Sequence, residues 1–295
     1  MAKEISGFKF PLLFSLILLF GVALRLPHLN GALEYDEIWT LENYAGAPLS
    51  EIFSNISLPN NHPLNSLWVK FASVSHVPFL IRLASFLSGI GSIVLAGFAA
   101  RQLFAGRQAM LLAMLFCAVA PGLIAYSQSA RGYSGQVFLI LAFANLVLAI
   151  GKWRAQIVMP LLLVTGFLAV VALPTSVLYL LPLSIAALYL ISCLADNRQR
   201  MIYLTGMALF AAGTGGWYFI QMENLRAAQT WSIAINSAGD CFRWLLGTLT
   251  VTGGILLPVA LLLAPHNRMV RCLAVFAALP LLAVIWTNAG PPRAY

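Results

Sequence analysis

The sequence predicts an all-α, polytopic membrane protein, and three observations carry that prediction. Hydrophobic residues make up 61% of the 295-residue chain. Charged residues are only 9%, and the mean hydropathy is +0.88. A soluble domain carries about a quarter charged residues, so this chain has too little polar surface to meet water on all sides. The apolar residues also come in continuous runs close to the ~20 residues of a spanning helix, whereas a membrane β-strand alternates apolar and polar positions over about ten.

The first run, 8–26, follows a basic N-terminus and leads into "GVALRLPHLNG". That stretch has no small-x-small cleavage site, so we read the run as a retained anchor rather than a signal peptide. A long loop then occupies 27–79. Its polar part, "SNISLPNNHPLNS", is broken by Pro and Asn. "LNSLWVKFASV" is too short to span and amphipathic enough to lie at the interface. Further runs follow at 80–104, 107–126, 131–150, 156–173, 175–194, 200–221, 243–264 and 269–287. Pro121, Pro160, Pro182, Pro258 and Pro280 fall inside them, which membrane helices tolerate because neighbours satisfy the freed backbone groups. The whole chain, 1–295, reads as one membrane domain of about nine spanning helices.

Basic residues suggest the orientation. With the N-terminus in the cytoplasm, the inner side holds Lys3, Lys9, Arg101, Arg107, Lys152, Arg154, Arg198, Arg200, Arg268 and Arg271. Arg25, Lys70, Arg82, Arg131, Arg226, Arg243 and Arg293 fall outside. The inner ones sit in short loops or tails, where the positive-inside rule has force. Most acids fall outside (Glu34, Asp36, Glu37, Glu42, Glu51, Glu223 and Asp240), so chemistry is expected on the outer face.

The formal charge of +8 is scattered between apolar runs rather than gathered on a stripe, which argues against nucleic-acid binding. Cys117, Cys193, Cys241 and Cys272 suggest no structural disulfide. No phosphate loop, dinucleotide fingerprint or zinc-protease motif is present.

Five stretches hold residue types able to do chemistry. In "NGALEYDEIWT", Asp36 and Glu37 follow the first apolar run. They either end a span at the interface or supply a general base or metal ligand at headgroup level. In "PNNHPLN", His62 is either a hydrogen-bonded filler or, with the two carboxylates, part of a divalent-metal site. In "AYSQSARGYSG", Arg131 either snorkels to headgroups or holds a phosphate oxygen, with Tyr126 and Tyr133 shaping the pocket. Arg82 in "LIRLAS" invites the same two readings, and "GPPRAY" adds Arg293 and Tyr295.

Taken in order, the acidic pair after a membrane helix, the His-Pro, "RLAS" opening a helix that ends "AARQLFAGRQA", and "YSQSARGY" resemble the polyprenyl-phosphate-dependent glycosyltransferases of the GT-C superfamily. The nearest branch is glycosyltransferase family 39, with the protein O-mannosyltransferases and the lipid A aminoarabinose transferase. The resemblance covers about residues 10–150, and "PPRAY" is similar to a later Arg-Tyr pair. It implies a sugar donor joined through phosphate to a polyprenyl lipid, an acceptor that is lipid, glycan or protein, and an inverting displacement. Asp36 would be the base, with Glu37 beside it. Arg131, helped by Tyr133, Arg82, Arg293 and Tyr295, would stabilise the phosphate. A divalent metal would take Asp36 and His62 as ligands. The implied setting is a bacterial inner or plasma membrane with the active face outside. Ser129 stands where the family often has Glu, and Leu64 where a second Pro often follows. The helices and soluble domain that often follow in relatives are expected to be missing here. Two other readings remain at this point, a transporter or flippase for a lipid-linked substrate and a non-catalytic membrane protein.

Overall fold

A computed structural model of the chain describes residues 9–54, 56, 61–75, 77–104 and 106–228. These residues form α-helices and short 3-10 turns, with no strand among them. The helices are α1 (Lys9–Arg25), α2 (Tyr35–Tyr44), α3 (Leu49–Ser54), α4 (Pro63–Ala72), α5 (Pro78–Phe104), α6 (Arg107–Val119), α7 (Pro121–Ser127), α8 (Tyr133–Leu148), α9 (Ala155–Ala172), α10 (Val177–Ser192), α11 (Asn197–Ile220) and α12 (Met222–Ala228).

The all-helical class read from the sequence is what the structure shows. Three stretches are long and apolar enough to cross a membrane: α5, α9, and Pro174–Ser192, in which a 3-10 turn runs into α10. The pair α6 and α7, bent by 63° at its break, makes a fourth if the two count as one span. Other expected spans coincide with α1, α8 and α11, although α8 has only 16 residues and α11 opens on Arg198 and Arg200. The expected spans at 243–264 and 269–287 lie outside the described residues.

α5 is the central helix, packed between α6 and α8, with α9 on α8 and α11 on α9. One apolar core joins α8 to α11 through Phe143, Leu162, Leu180 and Tyr203, and another joins α5 to α6 through Ile93, Met110 and Met114. Leu19, Leu181 and Leu209 are more than half exposed, as side chains that face lipid would be. α11 runs unbroken through "GTGG" at 213–216.

The α6–α7 break has a local cause and a long-range remedy. Pro121 carries no N–H, so the Cys117 carbonyl loses its partner in the next turn, and the helix bends. Arg25, fully buried at the end of α1, donates from Nη2 to Cys117 O at 2.9 Å and from Nη1 to Ala118 O at 2.9 Å. It also donates to Gly21 O (3.0 Å) and, from Nε, to Ser127 Oγ (3.2 Å). Gly89 of α5 permits this close approach, since a Cβ there would lie 2.0 Å from Ser127 Oγ. The sequence had shown Arg25 only as an outer basic residue; here it is a buried clamp on the α6–α7 break.

Helices α2 to α4 fold over one end of the bundle. α4 buries Asn65, Ser66 and Val69 against it, and leaves Phe71 and the following Val74 largely exposed, which suits a helix lying at a membrane interface. Lys70 closes the end of α2 by donating to Ala45 O at 3.2 Å and Ala47 O at 2.8 Å.

Candidate functional site

The acids of "YDEI" part company because neighbours on an α-helix point about 100° apart. Glu37 turns inward and is 1% exposed. Its Oε1 accepts from Arg82 Nε at 2.8 Å and from Ala130 N at 2.5 Å. Its Oε2 accepts from Arg82 Nη2 and, at 2.8 Å, from Glu34 N at the start of α2. Arg82, 3% exposed, spends its remaining donors on the carbonyls of His28, Leu29, Gly31 and Ala32. His28 sits in the left-handed region at φ 66° to present its carbonyl there. In this arrangement neither Glu37, grouped with Asp36 as catalytic by the sequence, nor Arg82, grouped with the phosphate-binding residues, has a group to offer a ligand. Together they tie α2, α5 and the 129–132 turn into one unit.

Asp36 turns the other way. Its Oδ2 lies 3.0 Å from Arg131 Nη1, and the two side chains keep 13% and 15% exposure. The Arg131 guanidinium also rests over the Tyr133 ring at 5.0 Å. Tyr133 in turn packs edge-on against His62 (ring centroids 5.0 Å apart) and tilted against Tyr126 (4.6 Å, interplanar angle 41°). So Asp36, His62, Tyr126, Arg131 and Tyr133, drawn from three separated stretches, meet at one place.

The backbone under this cluster is held at several points. Asn65 donates to Ala130 O at 2.6 Å, and Ser85 Oγ donates to Arg131 O at 3.1 Å. Thr40 Oγ1 donates to Asp36 O at 2.9 Å. Gly132 is needed where it stands, because a Cβ would come within 2.6 Å of His62 Cβ. The sequence reading missed Asn65 and Ser85. Their signal was polarity inside otherwise apolar segments, which alone does not say what they hold.

His62 is buried at the start of α4, and its Nε2 has no hydrogen-bond partner among the described residues. Ser129 Oγ is in the same position. Burial first, and the positive charge of Arg131 second, hold the imidazole down at about 3, so His62 is neutral at physiological pH. A divalent metal would need more than Asp36 and His62, and no group of three or more His, Cys, Asp or Glu is placed to hold one among the described residues. With a guanidinium against Asp36 and bearing on His62, the donor set does not fit a cation. Arg293 and Tyr295 lie outside the described residues.

A cleft of about 210 Å³ opens beside the cluster between α5, α8 and α9, under the start of α4. Arg131, Asn65, Ser85 and Ser88 supply its polar lining. Leu64, Phe138, Leu139, Leu168 and Ala172 make the rest apolar. Gly135 opens onto space, with nothing within 4 Å of where its Cβ would be.

Comparison with protein-family models, with curated proteins and with solved structures gives no match.

Proposed function

We propose that this chain is a membrane glycosyltransferase of the GT-C kind, moving a sugar from a polyprenyl-phosphate donor to an acceptor by inverting displacement. The observation that carries the reading is the place of Arg131. It lines an amphipathic cleft at one end of the helical bundle, and it pairs with a carboxylate at 3.0 Å. A cation at the polar end of an apolar cleft suits a lipid phosphate, and a carboxylate beside it suits a hydroxyl or amine acceptor.

In this mechanism the lipid chain lies along Leu139, Leu168 and Ala172, and the phosphate meets Arg131. Asp36 accepts the proton of the acceptor's attacking group. A new bond forms at the anomeric carbon as its bond to the phosphate oxygen breaks, and polyprenyl phosphate leaves with that electron pair. Arg131 stabilises the growing charge, and the Tyr133 ring under the guanidinium keeps it aimed. No metal enters any step. The finer topology belongs to the same proposal: about nine spans, the N-terminus in the cytoplasm, and the α2–α4 face outside a bacterial inner or plasma membrane.

The test is transfer from a panel of radiolabelled polyprenyl-phosphate sugars by membranes carrying the full chain, compared with membranes lacking it. Transfer from one donor supports the proposal and identifies the sugar. No transfer from any donor, with the chain present at normal level, counts against it.

A further inference from the structure

The Asp36–Arg131 pair sets a problem for any mechanism that uses both residues. Each is asked to act on a ligand, yet they act on each other at 3.0 Å. The backbone around them has little freedom to resolve this. Ala130 is held on both sides, by Glu37 at 2.5 Å through its N–H and by Asn65 at 2.6 Å through its carbonyl. Ser85 holds Arg131 O, and Thr40 holds Asp36 O. Glu37 itself is locked by Arg82 and by the start of α2. The two side chains keep a margin of exposure, 13% for Asp36 and 15% for Arg131.

From this we infer that the ion pair is an exchange switch: the phosphate of the lipid carrier displaces Asp36 from Arg131, and Asp36 displaces the phosphate in return. The inference rests on the lipid-phosphate reading above and adds an order of events to it. With the cleft empty, Asp36 Oδ2 is covered by the guanidinium, so an acceptor arriving first finds that oxygen taken. A phosphodiester at Arg131 carries one negative charge, as the carboxylate does, and its lipid chain adds apolar burial along Leu139, Leu168 and Ala172, so it takes over the fork. Asp36 is then uncovered next to a seated donor, and the acceptor's proton has a place to go. After transfer Asp36 holds that proton, is neutral, and does not compete for Arg131. Loss of the proton to water restores the carboxylate, which again competes for Arg131 with polyprenyl phosphate. One ion pair thereby sets the binding order and couples carrier release to proton release.

The test reads binding, not turnover. The full chain is placed in nanodiscs of zwitterionic phosphatidylcholine and titrated with undecaprenyl phosphate. Exchange predicts that Asp36→Asn, which removes the competitor, binds the probe about three- to tenfold more tightly than the unaltered chain. Asp36→Ser serves as a second variant should the first fail to fold. Arg131→Ala should bind at least tenfold more weakly, and the double variant should be as weak as Arg131→Ala, because the competition exists only while Arg131 does. Equal or weaker binding by both Asp36 variants, with the Arg131 effect intact, overturns the switch and leaves the lipid-phosphate site standing. Absence of binding by every version, the unaltered chain included, overturns both.

Discussion

Glu37 and Arg82 form a buried two-point ion pair, Nε to Oε1 at 2.8 Å and Nη2 to Oε2, that joins the start of α2 to α5. Removing one partner leaves the other charge buried without compensation, which costs about 3–5 kcal/mol. Glu37→Gln and Arg82→Ala should each lower the thermal unfolding midpoint in detergent by a large margin. Arg82→Lys should not rescue it, since an ammonium cannot reach Glu37 and the 28–32 carbonyls together. An unchanged midpoint in Glu37→Gln would mean the pair does not hold the site together.

Arg25 and Pro121 make a second, separable prediction. Arg25→Met orphans the Cys117 and Ala118 carbonyls, at about 1–3 kcal/mol each. Adding Pro121→Ala restores an N–H able to serve Cys117 O, so the double variant should be more stable than Arg25→Met alone. A strictly additive thermal shift would contradict the account of the break.

His62 predicts a pH dependence. Folded, its imidazole stays neutral down to about 3, whereas an unfolded histidine titrates near ~6.5. Between those values the unfolded state holds the extra proton, so stability falls as pH falls, by at most about 1.4 kcal/mol per pH unit. The loss begins as pH drops through ~6.5 and ends near 3. In His62→Gln this part of the slope should vanish, which denaturant titrations at pH 4, 5, 6 and 7 would detect.

Gly135 separates the cleft from the fold. A side chain there meets open space, and replacing glycine within a helix gains about 1 kcal/mol of propensity. Gly135→Leu should therefore keep or raise the unfolding midpoint while blocking the cleft and abolishing undecaprenyl phosphate binding. Retained binding would place the lipid elsewhere.

Among the described residues the long apolar helices α5, α9 and α10 were legible in the sequence for a simple physical reason: a spanning helix needs a fixed length of apolar residues, and that length can be read without tertiary information. The break at Pro121 was legible as a proline, but its remedy was not, because Arg25 lies far from it in the chain. The site was legible in part. Asp36, His62, Arg131 and Tyr133 stood out as polar or charged residues beside apolar runs, and they do meet. Which acid faces the cluster was not legible. Glu37 is drawn inward by Arg82 and by the Ala130 N–H, partners 45 and 93 positions away, while Asp36 is left to Arg131. Sequence alone ranks two adjacent carboxylates equally, and only the assembled helices tell them apart.

The central claim is that Asp36 and Arg131 divide one reaction between them, the first taking a proton and the second holding a phosphate. Transfer kinetics with a donor identified from the panel test this most directly, comparing Asp36→Asn and Arg131→Ala with the unaltered chain. The account predicts that Asp36→Asn loses most of kcat while still binding donor, and that Arg131→Ala loses donor binding first and rate with it. Near-normal transfer by Asp36→Asn would contradict it, because among the described residues no other carboxylate in the cluster is left to take the proton: Glu37 is already committed to Arg82.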